Sequence, residues 1–305
     1  MNNFMNKNIL AIEVGSANTK SLGFKDGAFV EIPDIRLEIK NGYQKHGYVP
    51  EIDMDILCNH VNSFKKDYDE IIVVGTAGVR NMNNEGRIQF LDEFKKRTGI
   101  DFNVVTAEQE GELTVQGVFG SAFAGRLCVL IGGGSSTEIY IVDNKQIIDK
   151  YHLPFGAYSV SEKFPHITLD KSDVNVDEIL EFLKPMIVDI TSKADIMVLA
   201  GGDHLYVADK VFKDGISNNI LYNDVNQPFM ITAEDYEKCT RRYINQDDLS
   251  RYYNTFIKLS PPWWRGSRPM STVVVAIARH MEAKILVPTR INMCIGLITK
   301  ALNPL

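Results

Sequence analysis

Residues 130–141 read Leu-Ile-Gly-Gly-Gly-Ser-Ser-Thr-Glu-Ile-Tyr-Ile, and this segment guides the interpretation of the whole chain. An apolar run at 127–131 ends in three glycines and three hydroxyl residues, and another apolar run follows at 139–142, which is typical of a tight hairpin. Glycine lets backbone N–H groups reach an anion and hydroxyls add donors, so the turn can hold a phosphate. Glu138 would repel a phosphate unless it binds a metal or handles a proton. An ordinary glycine-rich hairpin is the alternative.

A second segment near the N-terminus has the same design. Residues 9–14 (Ile-Leu-Ala-Ile-Glu-Val) form an apolar run, residues 15–20 (Gly-Ser-Ala-Asn-Thr-Lys) form a polar turn, and residues 21–24 resume a strand pattern. The glycines that open the two turns, Gly15 and Gly132, are about 117 positions apart. Two such hairpins suggest a pseudo-duplicated pair of domains that hold one phosphate-bearing ligand, although plain hairpins would show the same pattern.

The composition limits the classes of function. With 305 residues, of which 45% are hydrophobic, the chain can form one large or two medium-sized domains. The net charge of −6 provides no global field for a polyanion, so we expect no DNA binding and a locally built anion site. The four cysteines contain no Cys-x-x-Cys pair, which argues against zinc and disulfides and favours a cytoplasmic protein. The first apolar run is too short for a membrane segment.

The region between the two hairpins alternates helix and strand patterns, as a mixed α/β domain does. We predict helices at 51–68 and 86–97 and strands at 70–74 and 102–105. Arg80 follows the first of these strands, in a turn with a threonine, where its fork of donors could grip a phosphate. A solvent-exposed arginine at a helix start is the alternative.

Acidic residues at 108, 110 and 112 follow the second predicted strand and begin a predicted helix. Carboxylates are favoured at a helix N-terminus in any protein. A carboxylate at a strand-to-helix corner is also where a general base would position a water molecule.

The second half of the chain offers weaker candidates. We expect His152 to be a structural residue, and Asp203 and His204 are weak site candidates after a glycine pair. Residues 259–270, with two adjacent tryptophans among prolines, are predicted to form a loop pinned into the core, and an exposed recognition patch is the alternative.

Several segments, in order along the chain, resemble the exopolyphosphatase/guanosine pentaphosphate phosphohydrolase (Ppx/GppA) family of the actin-like ATPase superfamily. Residues 13–20 and 131–138 are similar to the two phosphate motifs of that family. The other matching segments are 76–81, 106–118 and 153–164, the last of which begins Leu-Pro-Phe-Gly-Ala like the family's L-P-x-G-A signature, with a weaker likeness at 200–204.

The resemblance implies an α/β, two-lobed actin-like (ribonuclease H-like) fold with a phosphate-binding cleft between the lobes. Residues 1–120 plus 288–305 would form the first lobe and residues 121–287 the second. Longer relatives carry an appended helical domain, and we expect none here. A homodimer is possible by the same resemblance.

The resemblance also implies roles for individual residues. Glu110 aligns with the family's catalytic glutamate, which activates water, and Glu138 would assist as a second carboxylate. Glu13 and Glu138 would bind a metal ion, expected to be Mg²⁺. The residues expected to hold phosphates are Gly15, Ser16, Asn18, Lys20, Arg80, Gly132, Gly133, Gly134, Ser135, Ser136 and Thr137.

These inferences favour a phosphohydrolase that releases terminal phosphate from inorganic polyphosphate or guanosine pentaphosphate. Departures from the family pattern favour an alternative, a catalytically weakened sensor of such ligands. The first aspartate is Glu13, the second is Leu130 or Ile131, and the other changed positions are Ala17, Gln109 and Glu112. A different actin-like ATPase or activator is a third possibility, since the first loop alone would suit it equally well.

Overall fold

The computed structural model describes residues 7–16, 18–119, 125–218, 229–256 and 260–303. The chain separates into two compact units, unit 1 (Met1–Gly120 with Asn292–Leu305) and unit 2 (Ser121–Ile291). Residues 288–291 were predicted to belong to the first lobe. In the structure these residues belong to unit 2. The carbonyl oxygen of Thr289 accepts a hydrogen bond from the N–H of Gly202 (2.9 Å), and that of Ile291 accepts one from the N–H of Gly201 (2.7 Å).

Unit 1 contains one five-stranded sheet and the helices around it. Its strands are β1 (Ile9–Val14), β2 (Asn18–Lys25), β3 (Ala28–Arg36), β4 (Glu70–Gly75) and β5 (Phe102–Val104). Its helices are α1 (Ile39–His46), α2 (Glu51–Ser63), α3 (Ala77–Arg80), α4 (Asn84–Thr98), α5 (Ala107–Phe119) and the last helix of the chain, α12 (Met293–Leu302).

The strand order in unit 1 is β3-β2-β1-β4-β5. Strands β1 to β3 form an antiparallel meander, whereas β1, β4 and β5 are parallel. The carboxyl ends of parallel strands lie at one edge of a sheet. The segments after Val14, Gly75 and Val104 therefore meet at the same edge, and these segments carry the predicted site residues of unit 1.

Strand β1 is apolar along most of its length because both of its faces are covered. Ile12 packs in a cluster with α2 and α4, whereas Ile9 packs in a separate cluster with α12. Burial on both faces explains the near-continuous apolar run that marks this strand in the sequence. Glu13 interrupts the run where the strand approaches the first turn.

Unit 2 contains a seven-stranded sheet. Its strands are β6 (Arg126–Gly132), β7 (Thr137–Asp143), β8 (Gln146–Leu153), β9 (Ile196–Ala200), β10 (Ile216–Asn218), β11 (Phe229–Thr232) and β12 (Ile285–Pro288). Its α-helices are α6 (Ala157–Lys163), α7 (Val176–Leu183), α8 (Asp203–Lys210), α9 (Ala233–Asn245), α10 (Leu249–Thr255) and α11 (Pro261–Met281).

The sheet of unit 2 repeats the sheet of unit 1. Its order is β8-β7-β6-β9-β12-β11-β10. The first three strands again form an antiparallel meander, and β6, β9 and β12 are parallel. Strands β11 and β10 are added beyond the repeated part. The prediction of an α/β, ribonuclease H-like fold built on two related sheets is confirmed.

The prediction of a loop at 259–270 is wrong for most of this segment, which is helical. Helix α11 begins at Pro261, and Trp264 on its first turns is fully buried, whereas Leu259 lies outside the described residues. Proline suits the first turn of a helix because its missing N–H would have no partner there, so this proline pair marks a helix start. Among the described residues, no helix is long and apolar enough to span a membrane.

Candidate functional site

The first turn, between β1 and β2, is closed by its own backbone. The N–H of Gly15 donates to the carbonyl oxygen of Asn18 at 3.0 Å, and the N–H of Lys40 donates to that of Ser16 at 3.2 Å. A Cβ on Gly15 would lie 2.7 Å from the Asn18 oxygen, so the turn needs glycine at this position. Ala17 lies outside the described residues.

The segment after β4 packs directly on this turn. The N–H of Thr76 donates to the carbonyl oxygen of Val14 at 3.1 Å. A Cβ on Gly78 would lie 2.9 Å from both the Gly15 oxygen and the Ser16 Cα. Glycine at position 78 therefore lets α3 approach the turn, and α3 carries Arg80 at its end.

Arg80 and Glu110, two predicted site residues of unit 1, are in direct contact. Nη1 of Arg80 donates to the carbonyl oxygen of Val105 at 2.7 Å and to Oε2 of Glu110 at 3.3 Å. Their side chains are 25% and 37% exposed, so both reach solvent. Within the described part of the chain, the hydrogen bonds from Arg80 use only Nη1. The remaining N–H groups of the guanidinium are thus available to a ligand.

The second turn, between β6 and β7, is held by the segment that carries the Leu-Pro-Phe-Gly-Ala signature. The carbonyl oxygens of Gly133 and Gly134 accept from the N–H groups of Ala157 (3.1 Å) and Tyr158 (2.7 Å) in the first turn of α6. A Cβ on Gly156 would lie 2.2 Å from the Gly133 oxygen. The signature is therefore a packing surface for the second turn.

This contact fixes the direction of the turn's N–H groups. In a trans peptide the carbonyl and the N–H point in opposite directions. Because the carbonyls of Gly133 and Gly134 point towards α6, the N–H groups of Gly134 and Ser135 point away from it. Two successive N–H groups on one side of a turn form a concavity that suits an anion.

The hydroxyls of the second turn have different roles from those expected. Thr137 is fully buried, and its hydroxyl donates to the carbonyl oxygen of Phe155 at 2.9 Å. Ser136 donates its hydroxyl to Oε1 of Glu138 at 2.9 Å. We therefore expect Thr137 and Ser136 to position the turn and Glu138, which leaves Ser135 as the predicted hydroxyl that faces a ligand.

Glu138 has a second neighbour, His152, which was predicted to be a structural residue. Its Oε1 lies 3.2 Å from Nδ1 of His152, which is paired with it across β7 and β8. The His152 side chain is 65% exposed, so this histidine is not a buried structural residue.

Asp203 and His204, which follow β9, make contacts within unit 2. Asp203 accepts a hydrogen bond from Nε1 of Trp263 at 3.2 Å. His204 is buried, and this burial lowers its pKa to about 4, so the ring is neutral at physiological pH. The structure therefore gives Asp203 and His204 a role in packing.

A family model of the Ppx/GppA phosphatase family matches residues 31–260. The chain belongs to this family. The matched range includes Arg80, Glu110 and the whole second turn, and it begins after the first turn.

Several solved structures share the fold of this chain. The Aquifex aeolicus Ppx/GppA phosphatase, in its type II variant, is 18% identical, with a TM-score of 0.79 over 96% of this chain and 99% of that one. An exopolyphosphatase from Cytophaga hutchinsonii is 14% identical, with a TM-score of 0.71 over 97% and 98% of the two chains. A Neospora caninum nucleoside triphosphate hydrolase structure is 9% identical, with a TM-score of 0.58 over 97% and 92%.

Gln109, where the Ppx/GppA pattern has a glutamate, has a structural role. Its Oε1 accepts from the N–H of Thr106 at 2.9 Å, while the Thr106 hydroxyl accepts from the N–H of Gln109 at 3.1 Å. This reciprocal pair is a capping box at the start of α5, and glutamine serves there as well as glutamate. The change to glutamine therefore leaves Glu110 on an intact first turn.

The lost aspartate of the second motif is not replaced locally. Leu130 is fully buried and Ile131 is the cross-strand partner of Glu138. Because both side chains are hydrocarbons, neither offers an oxygen to a metal. Among the described residues, no group of three or more His, Cys, Asp or Glu side chains could hold a metal. Glu13 and Glu138 stay predicted ligands of Mg²⁺, an ion that prefers oxygen ligands.

Proposed function

We propose that this chain is a phosphohydrolase that releases terminal phosphate from inorganic polyphosphate or guanosine pentaphosphate. The contact between Arg80 and Glu110 carries this proposal, because it places a partly exposed carboxylate beside a cation that retains N–H groups for a ligand. Membership of a family named for phosphatase activity supports it.

In the proposed reaction, Glu110 accepts a proton from the water that attacks the terminal phosphorus, and Arg80 neutralises oxygens of the phosphoryl group. The bond between that phosphorus and the bridging oxygen breaks, so phosphate is released and the bridging oxygen leaves with the shortened chain. The N–H groups of Gly134 and Ser135 hold phosphate oxygens in unit 2. Phosphoryl transfer depends mainly on such positioning and charge neutralisation. Mg²⁺, when bound with the phosphates, would supply further positive charge, and Glu13 and Glu138 are its predicted ligands.

A sensor that binds the same ligands without turnover is the second candidate. It is favoured by the absence of a carboxylate at Leu130 and Ile131, since a weaker hold on the metal slows the reaction more than it weakens binding by backbone N–H groups. A homodimer and a cytoplasmic location stay predictions.

An assay with three ligands tests the proposal. Purified protein with Mg²⁺ is incubated separately with long-chain polyphosphate, guanosine pentaphosphate and ATP, and released phosphate and ligand binding are both measured. Turnover of either of the first two ligands supports the phosphohydrolase and names its substrate. Tight binding without turnover supports the sensor, turnover of ATP alone supports another actin-like ATPase, and neither binding nor turnover contradicts both candidates.

A further inference from the structure

We propose that His152 is a positioning residue that fixes the orientation of Glu138; this inference rests on the proposed function. The two residues are cross-strand partners on β7 and β8, so their side chains leave the same face of the sheet. Nδ1 of His152 lies 3.2 Å from Oε1 of Glu138, within hydrogen-bond distance.

The two polar contacts of the Glu138 carboxylate with described residues are made by the same oxygen. Its Oε1 accepts from the Ser136 hydroxyl at 2.9 Å and faces His152 Nδ1 at 3.2 Å. Within the described part of the chain, both polar contacts of this carboxylate are made by Oε1. Oε2 is therefore the oxygen that can accept from a water molecule or from a ligand.

The two groups that contact Oε1 of Glu138 come from different segments of the hairpin. Ser136 belongs to the turn that precedes β7, whereas His152 lies near the end of β8, just before the Leu-Pro-Phe-Gly-Ala segment. A glutamate on a strand has three side-chain torsions, and the Ser136 hydrogen bond alone would still let the carboxylate rotate about that contact. The close contact with His152 on the same oxygen restricts that rotation and directs Oε2.

Exposure distinguishes this histidine from an ordinary packing residue. The His152 side chain is 65% exposed, whereas the Glu138 side chain is 22% exposed. Removing the imidazole therefore leaves no cavity in the core, and we expect the folded state to be kept. A loss of activity would then report on Glu138.

The test uses three substitutions of His152 and a matched control. Asparagine places an N–H at the same bond distance from Cβ as Nδ1, whereas glutamine places it one bond further out. We expect His152→Ala and His152→Gln to lower kcat roughly tenfold with an unchanged KM, and His152→Asn to restore most of the rate. His166→Ala is the control, because His166 is a 63% exposed histidine whose Nδ1 lies 3.1 Å from Asp173.

A double substitution separates positioning from general damage. If His152 acts through Glu138, adding His152→Ala to Glu138→Gln should lower kcat no further. Additive losses, or equal losses in His152→Ala and His152→Asn, would overturn the inference. An active wild-type protein with an unaffected His152→Ala variant would overturn it while leaving the proposed function intact. A wild-type protein without turnover would reject both.

Discussion

At the scale of single residues, we propose that Arg80 divides its donors between the protein and a ligand. Nη1 donates to the Val105 carbonyl oxygen and to Glu110, and in the proposal Nε and Nη2 bind phosphate oxygens. Lysine has one nitrogen and cannot make both sets of contacts. We therefore expect Arg80→Lys to lower kcat/KM for phosphate release by about tenfold or more.

A nearby arginine provides the control for this substitution. Arg87 donates to the Arg80 carbonyl oxygen at 3.4 Å and to Oδ1 of Asn84 at 2.6 Å, and it contacts neither Val105 nor Glu110. Arg87→Lys should leave kcat/KM within about twofold. Equal effects of the two substitutions would mean that Arg80 acts only by holding α3.

His204 should make stability depend on pH. Burial lowers its pKa to about 4 from an ordinary value of 6.5, so between these values the unfolded chain binds more protons than the folded one. The free energy of unfolding should therefore fall as the pH drops from 6.5 towards 4. In thermal unfolding over that window, His204→Asn should show a shallower dependence of Tm on pH than the wild type. Parallel curves would contradict a neutral, buried His204.

At the scale of elements, the first turn of α5 supports Glu110 through the capping box of Thr106 and Gln109. Gln109→Glu keeps the box and should change neither stability nor activity measurably, whereas Gln109→Ala should cost about 1 kcal/mol. Urea unfolding measures the difference. A large gain in activity from Gln109→Glu would show instead that the glutamate of the family pattern has a chemical role that this chain lacks.

The contact between α6 and the second turn depends on Gly156. Its φ of −162° is open to any residue, so the constraint is steric, because a Cβ at this position would lie 2.2 Å from the Gly133 oxygen. Gly156→Ala should destabilise the fold by roughly 1–3 kcal/mol and weaken phosphate binding. Gly266→Ala on α11 is the control, since a Cβ there meets nothing within 4 Å, and it should be neutral or slightly stabilising. Similar Tm values for the two variants would contradict the packing account.

The position of His152 illustrates what the sequence could not provide at this scale. Asn144 and Lys145 form the turn between β7 and β8 with positive φ values of 49° and 65°. Counting back from that turn would pair Glu138 with Tyr151, but a register shift between Ile141 and Val142 moves His152 into place. A bulge adds one residue to one strand, and no residue type in this hairpin marks it. The contact therefore required the structure.

At the scale of the molecule, the sequence predicted the duplicated sheets because glycine and hydroxyl residues follow apolar strands in both halves. The α/β fold and the elements that carry Arg80, Glu110 and Glu138 followed from the same patterns. The first part of helix α11, residues 261–270, was predicted as a loop because two prolines at a helix start resemble a loop, whereas a helix was predicted for residues 271–281. The roles of Thr137 and Gln109 depend on hydrogen bonds to other segments, which a pattern of residue types does not specify.

The central claim is that Glu110 activates water for attack on a terminal phosphoryl group. Its most direct test compares phosphate release and ligand binding in the wild type and Glu110→Gln, with Mg²⁺ and the substrate that the wild type turns over. Glutamine keeps the shape and loses the base, so we expect kcat to fall by at least about a hundredfold while the ligand is still bound. Undiminished phosphate release by Glu110→Gln would contradict the account.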